Sequence, residues 1–120
     1  MIYEETLPHP LLSKYIRCYY YTHIQTSSTN NEKKTLQFPS DGGAELIFNL
    51  KNPFELGFHR DSMRLFFGSR LLGPYSSHVF SRANDEISTL AVRFLPGRMA
   101  SFFSIPAGQL RDRSISLTHL

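Results

Sequence analysis

The feature that most constrains this chain is its punctuation: short aromatic and aliphatic stretches, each stopped by a turn signal before a helix could grow. Residues 14–24 read KYIRCYYYTHI, rich in Tyr and Ile with no breaker, and are predicted to form a strand. Residues 26–31 are a polar loop, and 34–38 a short second strand. Pro39-Ser40-Asp41-Gly42-Gly43 is a dense turn signal: Pro presets φ, Asp hydrogen-bonds the local backbone, and Gly admits positive φ. In residues 44–50, Leu46, Phe48 and Leu50 share one face at period two. Residues 55–59 and 63–72 read as two more strands joined by Arg60-Asp61, and Gly73-Pro74 turns the chain again. Strands over 77–82 and 87–95 follow, separated by Ala83-Asn84-Asp85-Glu86. The last carries Leu90, Val92 and Phe94 on one face and Ala91 and Arg93 on the other.

After Pro96-Gly97 the period changes. Leu95, Met99, Phe102 and Phe103 fall at helical spacing, which predicts a short amphipathic helix over 98–104. Pro106 stops it and opens a further helical turn through Leu110. Ile115, Leu117 and Leu120 are apolar with nothing after them, so the end reads as cut off in the middle of something. About seven strands at 8–12-residue spacing, then helix, predict a small barrel or sandwich with a helical tail.

Composition narrows the class. The 120 residues make one ordinary domain, and 41% hydrophobic against 19% charged excludes a disordered chain. One cysteine, Cys18, rules out an intrachain disulfide and suits a reducing cytoplasm. The first residues, Met1-Ile2-Tyr3-Glu4-Glu5, lack the basic and apolar regions of a signal peptide. No apolar run approaches the ~20 residues of a membrane helix, so no membrane partner is expected. The net charge is +3, but Lys and Arg are scattered among acids, which reads as an ordinary solvated surface, with a phosphate-binding face as the lesser alternative.

Chemistry-bearing motifs are scarce. His9, His23, His59, His78 and His119 form no H-x-H or H-x-x-x-H pair, so no metal and no other cofactor is expected. There is no G-x-S-x-G, and Cys18 among tyrosines reads as an inert buried thiol. Asp41 is accounted for as a turn residue, and Gly42-Gly43 is no phosphate loop. Without two consecutive helices, the chain carries no helix-turn-helix of its own.

Arg93 stands out. It interrupts Leu90-Ala91-Val92-Arg93-Phe94-Leu95, where a charge must reach solvent, pair with an acid or meet an anionic ligand. Periodicity does not decide which face of this strand looks inward. If Arg93 does, Glu45, on the Glu45/Ile47/Asn49 face of another strand, is its candidate partner. Tyr19, Tyr21, Phe48, Phe66, Phe67 and Tyr75 either fill a core or line an apolar pocket with polar tips. The candidate ligand-binding set is Arg93, Glu45, Tyr19, Phe48 and Tyr75, with no catalytic residue.

Four blocks carry a resemblance. Residues 38–50, FPSDGGAELIFNL, resemble the "P-D-G … E-L-I-F-N-L" block of AraC-family transcription regulators. Residues 10–20 resemble that family's "P-x-L-x-x-Y-I-x-x-Y-W" opening, with Tyr20 in place of Trp, and Gly73-Pro74 resembles its following "G-P". Residues 90–97, LAVRFLPG, resemble "G-V-R-F-x-P-G-G", and 105–117 resemble "G-x-P-x-x-E-L-x-D … L". The resemblance implies a mainly β fold, a small cupin-like (double-stranded β-helix) barrel with short C-terminal helices. Residues 1–120 would be the regulatory domain, which senses a small-molecule effector, mediates homodimerisation, or both. DNA would be reached only through a helix-turn-helix part not present here. The family supplies no catalytic residues. The competing expectation is a small stand-alone cupin-like enzyme, such as an isomerase or oxygenase.

Overall fold

The computed structural model describes residues 1–25, 34–39, 42–75, 78–83, 85–105 and 109–117. Ten strands are described: β1 Ile2–Thr6, β2 Ile16–Gln25, β3 Lys34–Pro39, β4 Glu45–Asn49, β5 Phe54–Gly57, β6 Arg64–Phe66, β7 Ser69–Leu72, β8 His78–Ala83, β9 Glu86–Phe94 and β10 Ser114–Ser116. They form two antiparallel sheets, one in the order β1-β2-β9-β4-β7-β10 and the other β3-β8-β5-β6. No described ladder joins the sheets, so the mainly β class is observed as an open pair of layers and the closed barrel is not seen. Among the described residues no helix is long and apolar enough to cross a membrane.

The predicted strand over 63–72 is two strands in different sheets. Gly68, at φ +72°, breaks it: β6 stays beside β5, and β7 crosses to β4. Such a backbone is open to glycine and strained for other residues, so the crossing is placed where the residue permits it.

The large sheet is buried in part on both faces. Cross-strand partners share a face, so the register places Tyr19, Val92, Leu46, Leu71 and Ile115 in one row across five strands. That face meets Met99, Phe103 and Leu110 of the C-terminal region. The opposite face holds Tyr20, Ala91 and Ile47 in one row and Cys18, Arg93, Glu45 and Leu72 in the next. It packs against Phe54, Phe66, Val79 and Ala83 of the small sheet. Each fully buried Leu or Phe contributes roughly 1.5–3 kcal/mol of transfer free energy. A register shift in β2 between Ile16 and Cys18 lets both be buried on opposite faces.

The C-terminal expectations need correction. The helix predicted over 98–104 is a single 3-10 turn, Met99–Ser101, because only Met99 of that stretch is fully buried and Phe102 stays 47% exposed. The helical turn expected from Pro106 falls partly outside the described residues, as do Leu120, Asp41 and His119. Ile115 and Leu117 are not left over: β10 pairs with β7, and both residues pack on the second core. They therefore give no ground for self-association. Two strands went unforeseen. β1 is exposed throughout, and β10 is only three residues long, so neither carries an alternating apolar signal.

Candidate functional site

Between the sheets lies a cavity of about 410 Å3. Its walls come from alternate residues of each strand: Tyr20, Thr22 and Ile24 of β2, Thr89 and Arg93 of β9, Glu45 and Ile47 of β4. The small sheet contributes Phe38, Phe54, Val79 and Ser81. That volume lies within the ~300–1,000 Å3 range of small-molecule pockets, and the walls are mainly apolar with few polar groups, as such pockets usually are.

One wall is a polar cluster built by register. Glu45 and Arg93 are direct partners on β4 and β9, and Arg93 Nε donates to Glu45 Oε1 at 3.0 Å. Tyr20 sits two strands from Glu45, and the residue in its row on the intervening β9 is Ala91. A methyl group there leaves the phenol room to reach across, and Tyr20 OH donates to Glu45 Oε2 at 2.6 Å. The Arg93 guanidinium carbon lies 4.6 Å from the Tyr20 ring centroid, a cation–π contact. On the outer side Arg93 Nη1 is 3.9 Å from Glu5 Oε1, and Tyr3 OH donates to that same oxygen at 2.6 Å. The Tyr3 ring stacks near Tyr20 at 5.6 Å.

The electrostatics follow from burial. Glu45 is only 4% exposed, so its two oxygens need the cation and the phenol they have. Burial, and then the neighbouring Glu45 carboxylate, push the Tyr20 hydroxyl well above the ordinary tyrosine value. Burial alone would lower Arg93, but Glu45 more than reverses it and holds the guanidinium charged. Burial and the bond to Glu5 push Tyr3 up to about 12. Burial also raises the Cys18 thiol, and Cys18 is buried and unpaired.

Of the five sequence candidates, Arg93, Glu45 and Tyr75 line this cavity. Tyr19 and Phe48 do not. Each is one residue out of phase with the inward positions of its strand, so Tyr19 packs on the second core and Phe48 shares its face with Leu46. Residues the sequence reading passed over, Tyr20, Thr22, Thr89 and Ser81, line the cavity instead. The signal for Tyr20 was its phase with Thr22 and Ile24. Ser81 had none, because a serine in a short strand reads as solvent-facing. Ser81 is 3% exposed, and among the described residues its hydroxyl has no hydrogen-bond partner.

A more open cleft of about 820 Å3 runs between Leu56–His59 and the 109–115 segment. Arg64, Arg70, Arg111 and Arg113 line it, and burial together with Arg64 pushes the Arg70 guanidinium down. None of the sequence candidates reaches it. Among the described residues, no three His, Cys, Asp or Glu side chains converge as a metal site.

A protein-family model described as "Domain of unknown function (DUF6597)" matches residues 4–116. No curated protein and no solved structure matches the chain.

Proposed function

The chain belongs to the DUF6597 family, and we propose that its domain is the effector-sensing module of a transcription regulator of the AraC type, on a cupin-like arrangement of two sheets. The observation that carries the reading is the inter-sheet cavity, lined by aromatic and aliphatic side chains and closed on one wall by the Tyr20–Glu45–Arg93 cluster. A buried ion pair is a weak source of stability, since desolvation offsets much of its attraction. Keeping one against a cavity is more readily understood as shaping a binding surface. The four sequence blocks supply the regulator part of the proposal, and two of them, residues 38–50 and 90–97, contain Glu45 and Arg93 themselves.

The test is a calorimetric and thermal-shift screen of the purified chain against neutral, anionic and cationic small molecules, beside the cavity-filling variant Thr89→Leu. A sensing domain gives saturable stabilisation, about 2.7 kcal/mol at a hundredfold excess over Kd. Thr89→Leu should lose it. If no compound stabilises the natural chain more than the variant, the proposal fails.

A further inference from the structure

We infer that the ligand of the inter-sheet cavity is an uncharged, mainly apolar molecule carrying one hydrogen-bonding group, and that Ser81 is the residue that reads that group. This rests on the sensing proposal and specifies its ligand class.

Three observations converge. The first is that Glu45 and Arg93, the charged side chains that line the cavity, are already matched one to one. Both Glu45 oxygens have donors, Arg93 Nε in one case and Tyr20 OH in the other, and Arg93 lies between Glu45 and Glu5. An anionic ligand would bring a further charge beside Glu45, and a cationic one a further charge beside Arg93. Each would have to be desolvated without a vacant counter-charge.

The second is Ser81. Ser81 lies on the opposite wall, on β8, flanked in register by Leu36 and Leu56, and its hydroxyl is buried without a partner among the described residues. A hydroxyl in that position leaves both a donor and an acceptor unused, at a desolvation cost that a bound partner would remove. Buried polar groups are nearly always paired, so an orphan on a residue that lines a cavity marks where a ligand's polar group belongs.

The third is the rest of the lining. Ile24, Phe38, Ile47, Phe54, Val79 and Ile87 present no hydrogen-bonding side chain. Thr22 and Thr89 are direct cross-strand partners. A sugar, with a hydroxyl on nearly every carbon, would bury most of its hydroxyls against hydrocarbon. An aromatic or alicyclic body with one hydroxyl or carbonyl matches both the apolar walls and the buried Ser81 hydroxyl.

The test uses probes that share one isopropylbenzene body: thymol with a hydroxyl, p-cymene with no polar group, and cuminate with a carboxylate, plus glucose. Each is titrated calorimetrically into the natural chain and into Ser81→Ala. That substitution deletes an unpartnered hydroxyl, and the variant's melting temperature confirms that it folds. Thymol is expected to bind at least tenfold more tightly than cuminate, with glucose undetected. Ser81→Ala should weaken thymol about tenfold, to the level of p-cymene, and leave p-cymene unchanged. Tighter binding of cuminate or glucose than of thymol, or an unchanged thymol-to-p-cymene ratio in Ser81→Ala, overturns the ligand class and leaves the sensing proposal standing. Failure of every probe to bind overturns the ligand class, and the sensing proposal falls with it only if the broader screen also gives no saturable stabilisation.

Discussion

Arg93 and Glu45 face each other directly across β9 and β4, and their side chains meet at 3.0 Å on the wall of a cavity rather than at a surface. The pair is asymmetric. The Glu45 side chain is 5% exposed, whereas the Arg93 side chain keeps 22% of its surface open toward Glu5. The acid therefore depends on the base more than the base on the acid.

Arg93→Met keeps most of the side-chain volume and removes the charge. It should leave Glu45 buried without its cation and destabilise the chain by roughly 3–5 kcal/mol. Adding Glu45→Leu removes the stranded charge and should recover most of that loss. Urea midpoints of the two single variants and the double variant measure the coupling. A midpoint for Arg93→Met equal to that of the natural chain would show that the pair does not hold this wall together.

Tyr20→Phe keeps the ring beneath the Arg93 guanidinium and deletes only the donor to Glu45 Oε2. A hydrogen bond to a charged group is worth about 1.5–3 kcal/mol, and that is the expected loss in denaturant unfolding. A loss below about half a kcal/mol would mean that solvent replaces the phenol at Glu45.

The two raised phenols set an alkaline limit. Tyr3 is pushed from 10.0 to about 12, and Tyr20 is raised as well. Both hold their protons more tightly folded than unfolded, so ν_N exceeds ν_U above the unfolded value and stability falls with rising pH. The contribution is complete below about pH 10 and is lost as pH climbs through about 12. Urea midpoints across that window should decline, and decline less steeply in Tyr3→Phe. A flat profile in the natural chain would contradict the hydrogen-bonded pairing of Tyr3 with Glu5 and Tyr20 with Glu45.

Aromatic and β-branched runs between turn signals made most of this fold legible. They located β2, β3, β4, β8 and β9 to within about two residues, and period-two alternation put Glu45 and Ile47 on one face and Ala91 and Arg93 on another. Alternation could not say which face looks inward, because both faces of the large sheet carry apolar residues. Leu46 and Val92 pack on one core while Ile47 and Ala91 pack on the other. That ambiguity put Tyr19 and Phe48 in the candidate set although they lie out of phase with the cavity. Apolar spacing at Met99, Phe102 and Phe103 imitated a helix. A short segment laid across a sheet can bury the same side chains with one 3-10 turn, so spacing alone did not separate the two. β1 and β10 depend on pairing with β2 and β7, and pairing leaves no local mark in sequence.

Gly73 shows how a turn residue can serve a packing role that its neighbours do not reveal. It reads with Pro74 as a turn signal, yet its φ is not among the positive ones. What requires glycine is proximity. A Cβ there would lie 1.8 Å from the Leu110 carbonyl oxygen and 2.4 Å from its carbonyl carbon. The backbone confirms the docking: Gly73 N–H donates to the Arg113 carbonyl at 2.9 Å, and Asp112 N–H to the Pro74 carbonyl at 2.8 Å. These bonds hold the 109–113 segment so that Leu110, 1% exposed, seats in the second core. Gly73→Ala forces backbone away from backbone, with no flexible side chain to yield. The expected cost is about 3 kcal/mol or more, at the upper end of overpacking effects. The damage should be local before it is global. Hydrogen exchange at Gly73 and Asp112 should accelerate more than at Ala91, which lies in the centre of the large sheet. Unchanged exchange at Gly73 and Asp112 in a folded Gly73→Ala variant would show that the segment does not dock this closely.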